Sequence, residues 1–363
     1  MAAFVAGVVF VWSGFYNVAA STDHWAITTW ILEQVRERSL ATHSFFVEDP
    51  PPLDNVDMIR LGAAHYEGGC APCHSQPGEP INAIVSAMLP PPPLLARVTA
   101  DDGAMKIFWT VKHGLKYTAM PAWPAQSRDD EVWALTAFLT RLPQVSEEEY
   151  RQLSGADRES AVPATGQTLA ESSEAVALTQ CVRCHGDAAT PPISALVPTL
   201  NGQSQAYLER ALSEYAAGLR PSGVMQPVAG ILDAAETVSL AAYYSQLAPT
   251  DIRPDAAPER VRRGRELAAG GDVERGIPPC LACHSDTRAK TFPALAGQHA
   301  AYLAAQLRVW RAGARDATAH GQIMAAVARR LTEDQVEDAA AYFASLEAGA
   351  PLAAAPSLPA ASP

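Results

Sequence analysis

A five-residue pattern occurs three times in the chain and accounts for all six of its cysteines. The three copies are Cys70-Ala-Pro-Cys73-His74, Cys181-Val-Arg-Cys184-His185 and Cys280-Leu-Ala-Cys283-His284. Two thiols three residues apart on one helical turn can reach the two vinyl groups of one porphyrin, and the adjacent histidine then lies under the iron. The pattern predicts three covalently bound haem c groups, with the six cysteines as thioethers and the three histidines as proximal ligands.

Other uses of paired cysteines fit this pattern less well. A zinc site would need a second pair nearby, and a redox dithiol needs no histidine. Three disulfides in a secreted chain would give no reason for a histidine after every pair. Haem attachment is the interpretation that explains all five positions.

The length and the charge distribution limit the classes of protein further. With 363 residues and motifs about 100 residues apart, the chain is expected to form three domains. Residues 1–150 carry 9 basic and 17 acidic side chains, 151–250 carry 5 and 9, and 251–363 carry 13 and 13. The acidic front part argues against nucleic acid as a partner. It could steer a basic redox partner, or it could simply keep the protein soluble.

The N-terminal residues predict a membrane anchor over 1–22. Ala2 to Ala20 contain no charged residue, and a helix of this length spans roughly the 30 Å apolar core of a bilayer. Trp12, Phe15 and Tyr16 would lie near the interface. A cleaved signal peptide is the alternative, although no basic residue precedes the apolar run. We expect a single-pass protein of the bacterial inner membrane.

Residues 23–49 predict an amphipathic helix. Trp25, Thr28, Leu32 and Val35 share one face of it. The helix could lie on the membrane surface, on a partner subunit or on the first domain.

The remaining chain divides at composition changes and at an internal repeat. Pro198-Thr-Leu200 recurs 95 residues later at Pro293-Ala-Leu295, whereas the cysteine pairs recur after 99 residues. The predicted segments are domain 1 (50–143), a linker (144–164), domain 2 (165–249), domain 3 (259–348) and a disordered tail (349–363).

The second axial ligand of each iron separates an electron carrier from a catalyst. Domain 2 contains one methionine, Met225, no histidine other than His185 and no lysine. Domain 3 has Met324, which follows His284 by 40 residues just as Met225 follows His185. His299 and His320 are rivals in domain 3, but neither has a counterpart in domain 2.

The first domain offers several candidates, which are Met88, Met105, Met120 and His113. Met120 precedes Phe138 by 18 residues, the same spacing that separates Met225 from Tyr243 and Met324 from Tyr342. This spacing favours Met120 as the ligand on a loop before the last helix. A single methionine is more often core filler, but three at matched positions are hard to explain in that way.

Histidine and methionine ligation saturates the iron and favours its ferrous state. The sequence therefore predicts electron transfer, with no catalytic residue and no nucleic-acid partner. A haem peroxidase is the least favoured alternative, because oxygen or peroxide could bind only after loss of the methionine.

Residues 165–348 resemble the tandem dihaem periplasmic cytochromes c of the c-four group. The resemblance rests on Cys-x-x-Cys-His, Pro-x-Leu-x-Gly-Gln, Tyr-Leu, Ala-Gly-x-Arg, the methionine and the Ala-x-Tyr-Tyr/Phe helix, each present twice. Residues 55–143 resemble a monohaem class I cytochrome c through Lys112-His113-Gly114 and Met120-Pro121-Ala122-Trp123.

These resemblances imply an all-α fold of three class I cytochrome c domains in tandem behind an N-terminal transmembrane helix, with the soluble part in the periplasm. They also imply electron transfer from a quinol-oxidising complex or a dehydrogenase to a haem-copper terminal oxidase. Membership of a periplasmic dehydrogenase complex as its cytochrome subunit is the alternative.

Overall fold

The computed structural model describes residues 1–99, 102–158, 173–250, 252, 257–285, 292–350 and 352. Within these residues the regular structure is helical, with no β-strand and one isolated bridge between Asp272 and Ile277. The expectation of a mostly helical protein is confirmed.

Seventeen α-helices lie in the described part of the chain. They are α1 (Ala2–Ser13), α2 (Ala26–Ser44), α3 (Val56–Gly69), α4 (Ala71–His74), α5 (Ala83–Ser86), α6 (Leu95–Val98), α7 (Ala104–His113), α8 (Asp129–Arg141), α9 (Glu147–Ser154), α10 (Ser173–His185), α11 (Gln205–Ala216), α12 (Met225–Gly230), α13 (Ala234–Gln246), α14 (Pro258–Gly270), α15 (Ala300–Arg311), α16 (Ala319–Ala328) and α17 (Glu333–Ser345). Two 3-10 turns, Leu142–Gln144 and Cys280–Ala282, accompany them.

The predicted membrane-spanning helix over 1–22 is corrected by the structure. Helix α1 contains 12 residues and ends where Gly14 adopts a left-handed conformation with φ of 66°. At about 1.5 Å per residue it is roughly 18 Å long, shorter than the apolar core of a bilayer. Among the residues described, none of the helices combines the length and the apolar character needed to cross a membrane. Composition indicated the apolar run, but the glycine ends the helix before the run does.

Aromatic contacts turn the chain between α1 and α2. The Trp25 ring lies 6.1 Å from Phe10 and 5.2 Å from Tyr16, measured between ring centroids. The Tyr16 hydroxyl is hydrogen-bonded to His24 Nδ1 at 2.8 Å. The uncharged residues after Ser13 therefore form a turn instead of a helical continuation.

Helix α2 packs on α7, which selects one of its three predicted positions. Leu40 is buried, His43 stacks on Trp109 with 5.5 Å between ring centroids, and Glu37 forms an ion pair with Lys106 at 3.1 Å. Trp30 and Ile31 remain exposed on the same helix. The C-terminal half of α2 thus belongs to the first of three helical bundles.

This first bundle is built around the crossing of α3 and α8. The helices approach closely at Gly62, where a Cβ atom would lie 2.2 Å from the carbonyl oxygen of Ala134. The buried core beside this crossing is aromatic and aliphatic. It contains Ile59, Ala63, Tyr66, Ile107, Phe108, Val111, Trp123, Ala125, Val132, Trp133, Leu135, Ala137, Phe138, Leu139, Leu142, Val145 and Tyr150.

The predicted linker over 144–164 is also corrected. Helix α9 lies within it, and Tyr150 is 1% exposed, with its ring 6.0 Å from that of Tyr66. The Tyr150 hydroxyl donates to Glu67 Oε2 at 2.5 Å. The glutamate-rich composition predicts a solvated connection, but Tyr150 packs this segment against the core. Residues 159–172 lie outside the described part.

The second and third bundles repeat one arrangement. Leu208 and Tyr244 form the second core between α11 and α13, and Leu303 and Phe343 belong to the third core between α15 and α17. The last helix of each of these bundles, α13 and α17, begins with a capping box. In this motif the N-cap and N3 side chains each accept a hydrogen bond from the other residue's backbone amide. The predicted disordered tail lies outside the described residues except for 349, 350 and 352.

Reciprocal amide contacts join the second and third bundles. Gln203 Nε2 donates to the Ala294 carbonyl at 2.8 Å, and its Oε1 accepts from the Ala294 amide at 3.0 Å. Gln298 makes the same two contacts with Thr199, at 3.0 and 3.1 Å. Both pairs are related by the 95-residue repeat, so the two bundles meet with approximate twofold symmetry.

We predict that Gly264→Ala destabilises the third bundle. A Cβ at this position would lie 1.9 Å from the Asp338 carbonyl oxygen on α17, and overpacking of this kind costs about 1–3 kcal/mol. The midpoint of thermal unfolding, followed by circular dichroism, should fall by several degrees. Gly270→Ala in the same helix is the control, because nothing lies within 4 Å of its Cβ. An unchanged midpoint for Gly264→Ala would contradict this account of the helix crossing.

Candidate haem-binding sites

Each of the three cysteine–histidine motifs forms one helical turn, although the three turns begin differently. The first motif forms α4 after α3 ends, the second is the last turn of α10, and the third is a 3-10 turn. In the first and third motifs the histidine amide donates to the carbonyl of the first cysteine, at 2.9 and 3.0 Å. The two thiols of each pair are therefore three residues apart on one turn, as the spacing predicted.

A proline carbonyl orients the histidine of every motif. His74 Nδ1 lies 2.8 Å from the Pro93 oxygen, His185 Nδ1 lies 2.9 Å from that of Pro198, and His284 Nδ1 lies 3.2 Å from that of Pro293. A carbonyl only accepts, so Nδ1 carries the proton and donates it. Nε2 is then left with its lone pair, which is the form that binds a metal.

Burial favours the neutral form of these imidazoles and of the Cys70 and Cys280 thiols. Desolvation lowers the pKa of His74, His185 and His284, although the hydrogen bond to the proline carbonyl opposes it in each case. Burial raises the pKa of Cys70 to about 12, with a further contribution from Cys73, and that of Cys280 to about 11. Thiols held protonated in this way are poor zinc ligands and poor redox nucleophiles.

One continuous cavity of 1940 Å³ connects the three motifs. It exceeds the 300–1000 Å³ usual for a single small-molecule site, so it has room for more than one large ligand. Its lining includes members of every motif, which are Cys70, Cys73, His74, Cys181, Cys184, His185, Cys280 and His284.

The cavity also distinguishes among the candidate second ligands. Met120, Met225 and Met324 line it, whereas Met88, Met105, His113, His299 and His320 do not. The three methionines that the spacing favours therefore all line the cavity. Sequence reasoning missed Met58 on α3, which also lines the cavity. Met58 lies before the first motif and is not 18 residues before the aromatic residue of the last helix, so the spacing argument could not find it.

Local contacts fix the segment that carries Met120. Its amide donates to Thr118 Oγ1 at 3.1 Å, and its carbonyl accepts from the Leu115 amide at 3.2 Å. Gly114 has φ of +63°, and a Cβ there would lie 2.5 Å from the carbonyl carbon of Pro121. A glycine is required at this turn, because the chain comes back to within contact of itself.

The other two methionines lie on helices, although the sequence predicted loops. Met225 is the first residue of α12, and Met324 lies inside α16, which is capped by Thr318. The spacing to the last helix is the same in all three bundles, but the segment before that helix is helical in two of them. Pro121 keeps the first segment extended.

Buried donors without a protein acceptor indicate what the cavity holds. Among the described residues, Trp123 Nε1, Arg220 Nε and Trp310 Nε1 are buried, lie in the cavity lining and bond no protein atom. Unpaired buried donors are rare in proteins, and such groups are satisfied by ordered water or by a bound ligand. The carboxylates of haem are suitable acceptors, so the donors, the imidazoles and the thiols together fit this group.

The described residues do not offer a competing metal site. No cluster of three or more histidine, cysteine, aspartate or glutamate side chains suited to a metal ion occurs within them. A cavity lined by thiols, imidazoles and thioethers, with donors for carboxylates, defines a c-type cytochrome.

Comparison with known proteins agrees with this class. Residues 57–139 match the family model described as "Cytochrome C oxidase, cbb3-type, subunit III", and residues 262–347 match the model described as "Cytochrome c". The chain therefore contains cytochrome c domains, which carry covalently bound haem c.

Two curated relatives define the family. A "Thiosulfate dehydrogenase electron acceptor" of Thiomonas intermedia is 38% identical over 170 residues, which are 46% of this chain and 77% of that protein. Cytochrome c4 of Stutzerimonas stutzeri is 34% identical over 179 residues, covering 46% of this chain and 84% of that protein. The solved cytochrome c4 of Acidithiobacillus ferrooxidans has a TM-score of 0.42 and 32% identity, over 46% of this chain and 98% of that one. The chain belongs to the cytochrome c family that includes cytochrome c4 and the thiosulfate dehydrogenase electron acceptor.

Proposed function

We propose that this protein is a triheme c-type cytochrome that carries electrons in the bacterial periplasm. The observation that carries the proposal is the shared cavity, which is lined by residues of all three cysteine–histidine motifs and by the three methionines at matched spacing. In this proposal the middle bundle is a cytochrome c domain like the other two. Its support is the internal repeat and the proline-bonded His185.

The residues of each bundle have distinct tasks in this proposal. Each cysteine pair would hold one porphyrin, and His74, His185 and His284 would offer Nε2 to the irons. Met120, Met225 and Met324 would supply the second ligand of each iron. When bound, haem c supplies reversible one-electron exchange at its iron. Trp123, Arg220 and Trp310 offer donors to the porphyrin carboxylates, and the apolar core excludes water.

The proposed electron donors and acceptors are taken from the names of two of the matches. The relative of Thiomonas is named an electron acceptor of thiosulfate dehydrogenase, and the model matched by residues 57–139 is named for an oxidase subunit. We therefore propose that electrons enter from a periplasmic dehydrogenase or a quinol-oxidising complex and leave to a haem-copper terminal oxidase. The relative's name also supports the second candidate, a cytochrome subunit that stays bound to its dehydrogenase.

We expect the purified holoprotein to carry three covalent haems. Its intact mass should exceed the chain mass by three haem masses, because each cysteine pair forms two thioethers. A pyridine haemochrome assay should give the same ratio. Cys181→Ala/Cys184→Ala should remove one haem of the three and leave the others. Two haems in the unaltered protein would contradict the assignment of the middle bundle.

Met225→Ala should open one iron of the three to added imidazole and lower its potential, because a thioether stabilises ferrous iron better than water does. The near-infrared thioether-to-iron band should fall by about one third, one methionine of three. Met105→Ala is the control, since Met105 lies outside the cavity lining. Met58→Ala and Met120→Ala compared side by side assign the ligand of the first bundle. Loss of the band in Met58→Ala but not in Met120→Ala would show that Met120 is misassigned.

The native complex identifies the partners. We expect the protein, purified from its source without high salt, to bring oxidase or dehydrogenase subunits with it. Its reduction by a basic donor should slow as ionic strength rises, because residues 1–150 have an excess of acidic side chains. Stopped-flow absorbance of the haems measures this rate. Rapid peroxide turnover by the unaltered holoprotein would instead support the peroxidase alternative.

A further inference from the structure

The residues that precede Met225 contact the first bundle instead of their own. The Pro221 carbonyl accepts from Arg128 Nη1 at 2.9 Å. Ser222 Oγ donates to Glu131 Oε1 at 2.6 Å, and the Gly223 amide donates to Glu131 Oε2 at 2.6 Å. Both oxygens of one carboxylate on α8 are thus bonded to the segment that carries a predicted ligand of the second bundle.

The Ser222 hydroxyl extends this contact to the methionine itself. While it donates to Glu131, the same oxygen accepts from the Met225 amide at 3.0 Å. Glu131 is 6% exposed and Ser222 is 2% exposed, so neither bond is weakened by water. A continuous path of hydrogen bonds therefore runs from the carboxylate, through the hydroxyl, to the start of α12.

Packing holds the same segment against the first bundle. A Cβ on Gly223 would lie 2.1 Å from the Trp123 ring, so only glycine allows this approach. Val224 packs against the core of the first bundle. The four consecutive residues before Met225 therefore all contact the first bundle.

The equivalent segment of the third bundle is held within that bundle. The Gly321 amide donates to Thr318 Oγ1 at 3.0 Å, and a Cβ on Gly321 would lie 2.5 Å from the Arg315 carbonyl oxygen. Met324 thus depends on contacts from its own chain segment. The segment before Met225 differs in being bonded to a carboxylate of another bundle.

We propose that Glu131 is a positioning residue for Met225, by which the first bundle keeps the axial ligand of the second in place. The inference rests on the proposed function, in which Met225 is that ligand. Removing the carboxylate frees Ser222 and Gly223, and the methionine is then displaced more easily. The first and second haem domains are accordingly not independent electron carriers, because one controls the ligation of the other.

Glu131→Gln tests this positioning in the holoprotein. The glutamine oxygen can accept one of the two hydrogen bonds, but its amide group cannot accept the other. Glu131→Gln also removes the ion pair between Glu131 Oε1 and Arg128 Nη1, at 2.9 Å, but Arg128 keeps both of its contacts with Asp130, at 2.9 and 2.8 Å, so its charge stays paired. Ser222→Ala leaves that ion pair in place. Loss of one buried hydrogen bond to a charged group should make displacement of the methionine about tenfold easier. The measurement is the affinity of one haem in three for added imidazole, with the near-infrared band and the potential of that haem.

Ser222→Ala breaks the same path at its centre, so it should give a similar change, and the double variant should add little to either single one. It also carries the test if Glu131→Gln fails to fold, which haem content and circular dichroism would reveal. Asp129→Asn is the matched control, because Asp129 lies in the same helical turn but pairs with Lys112 at 2.5 Å.

Three results distinguish a failure of the proposed function from a failure of the positioning role of Glu131. No change in Met225→Ala would remove the proposed ligand and with it the proposed function at this haem. A change in Met225→Ala, with wild-type imidazole affinity in both Glu131→Gln and Ser222→Ala, would overturn the positioning role alone. An effect of Asp129→Asn as large as that of Glu131→Gln would also overturn it, because the cause would then be the general charge of α8.

Discussion

The hydrogen bond between each motif histidine and a proline carbonyl is the interaction on which the rest of the site depends. It fixes the protonated nitrogen, the ring orientation and the direction of the free Nε2 in one contact. His74, His185 and His284 donate it to the carbonyls of prolines 19, 13 and 9 residues further along the chain. The loop lengths differ, yet each loop brings a proline carbonyl to within 2.8 to 3.2 Å of Nδ1.

The bundles of this protein share one cavity, and this affects how they work together. Reciprocal glutamine contacts join the second and third bundles, whereas a buried carboxylate and a tryptophan–glycine contact join the first and second. The junction between the second and third bundles is symmetric and follows from the repeat. The junction between the first and second bundles is asymmetric, because Glu131 is in the first bundle and its partners precede Met225. Electron transfer along the chain would therefore cross two junctions of different construction.

Much of the candidate site could be predicted from the sequence, because covalent attachment requires a local spacing. The 18-residue interval before the last helix and the 40-residue interval after the histidine selected methionines that the structure places in the cavity lining. Two of the predictions that failed were made from composition alone. The apolar run at the N-terminus ends its helix at Gly14, and the glutamate-rich stretch after Leu142 folds onto the core through Tyr150.

The sequence by itself was enough to predict the chemistry of the site. The three attachment motifs, their histidines and the matched methionines are defined by spacing along the chain, so they can be recognised without a structure. Only the tertiary structure decided which carbonyl orients each imidazole, that Met58 also reaches the cavity and that Glu131 is buried against Ser222. These depend on contacts between residues tens of positions apart, such as the 91 that separate Glu131 from Ser222. From the sequence alone, a glutamate on the polar side of a helix is expected to be solvated. Only the structure shows that another bundle covers Glu131.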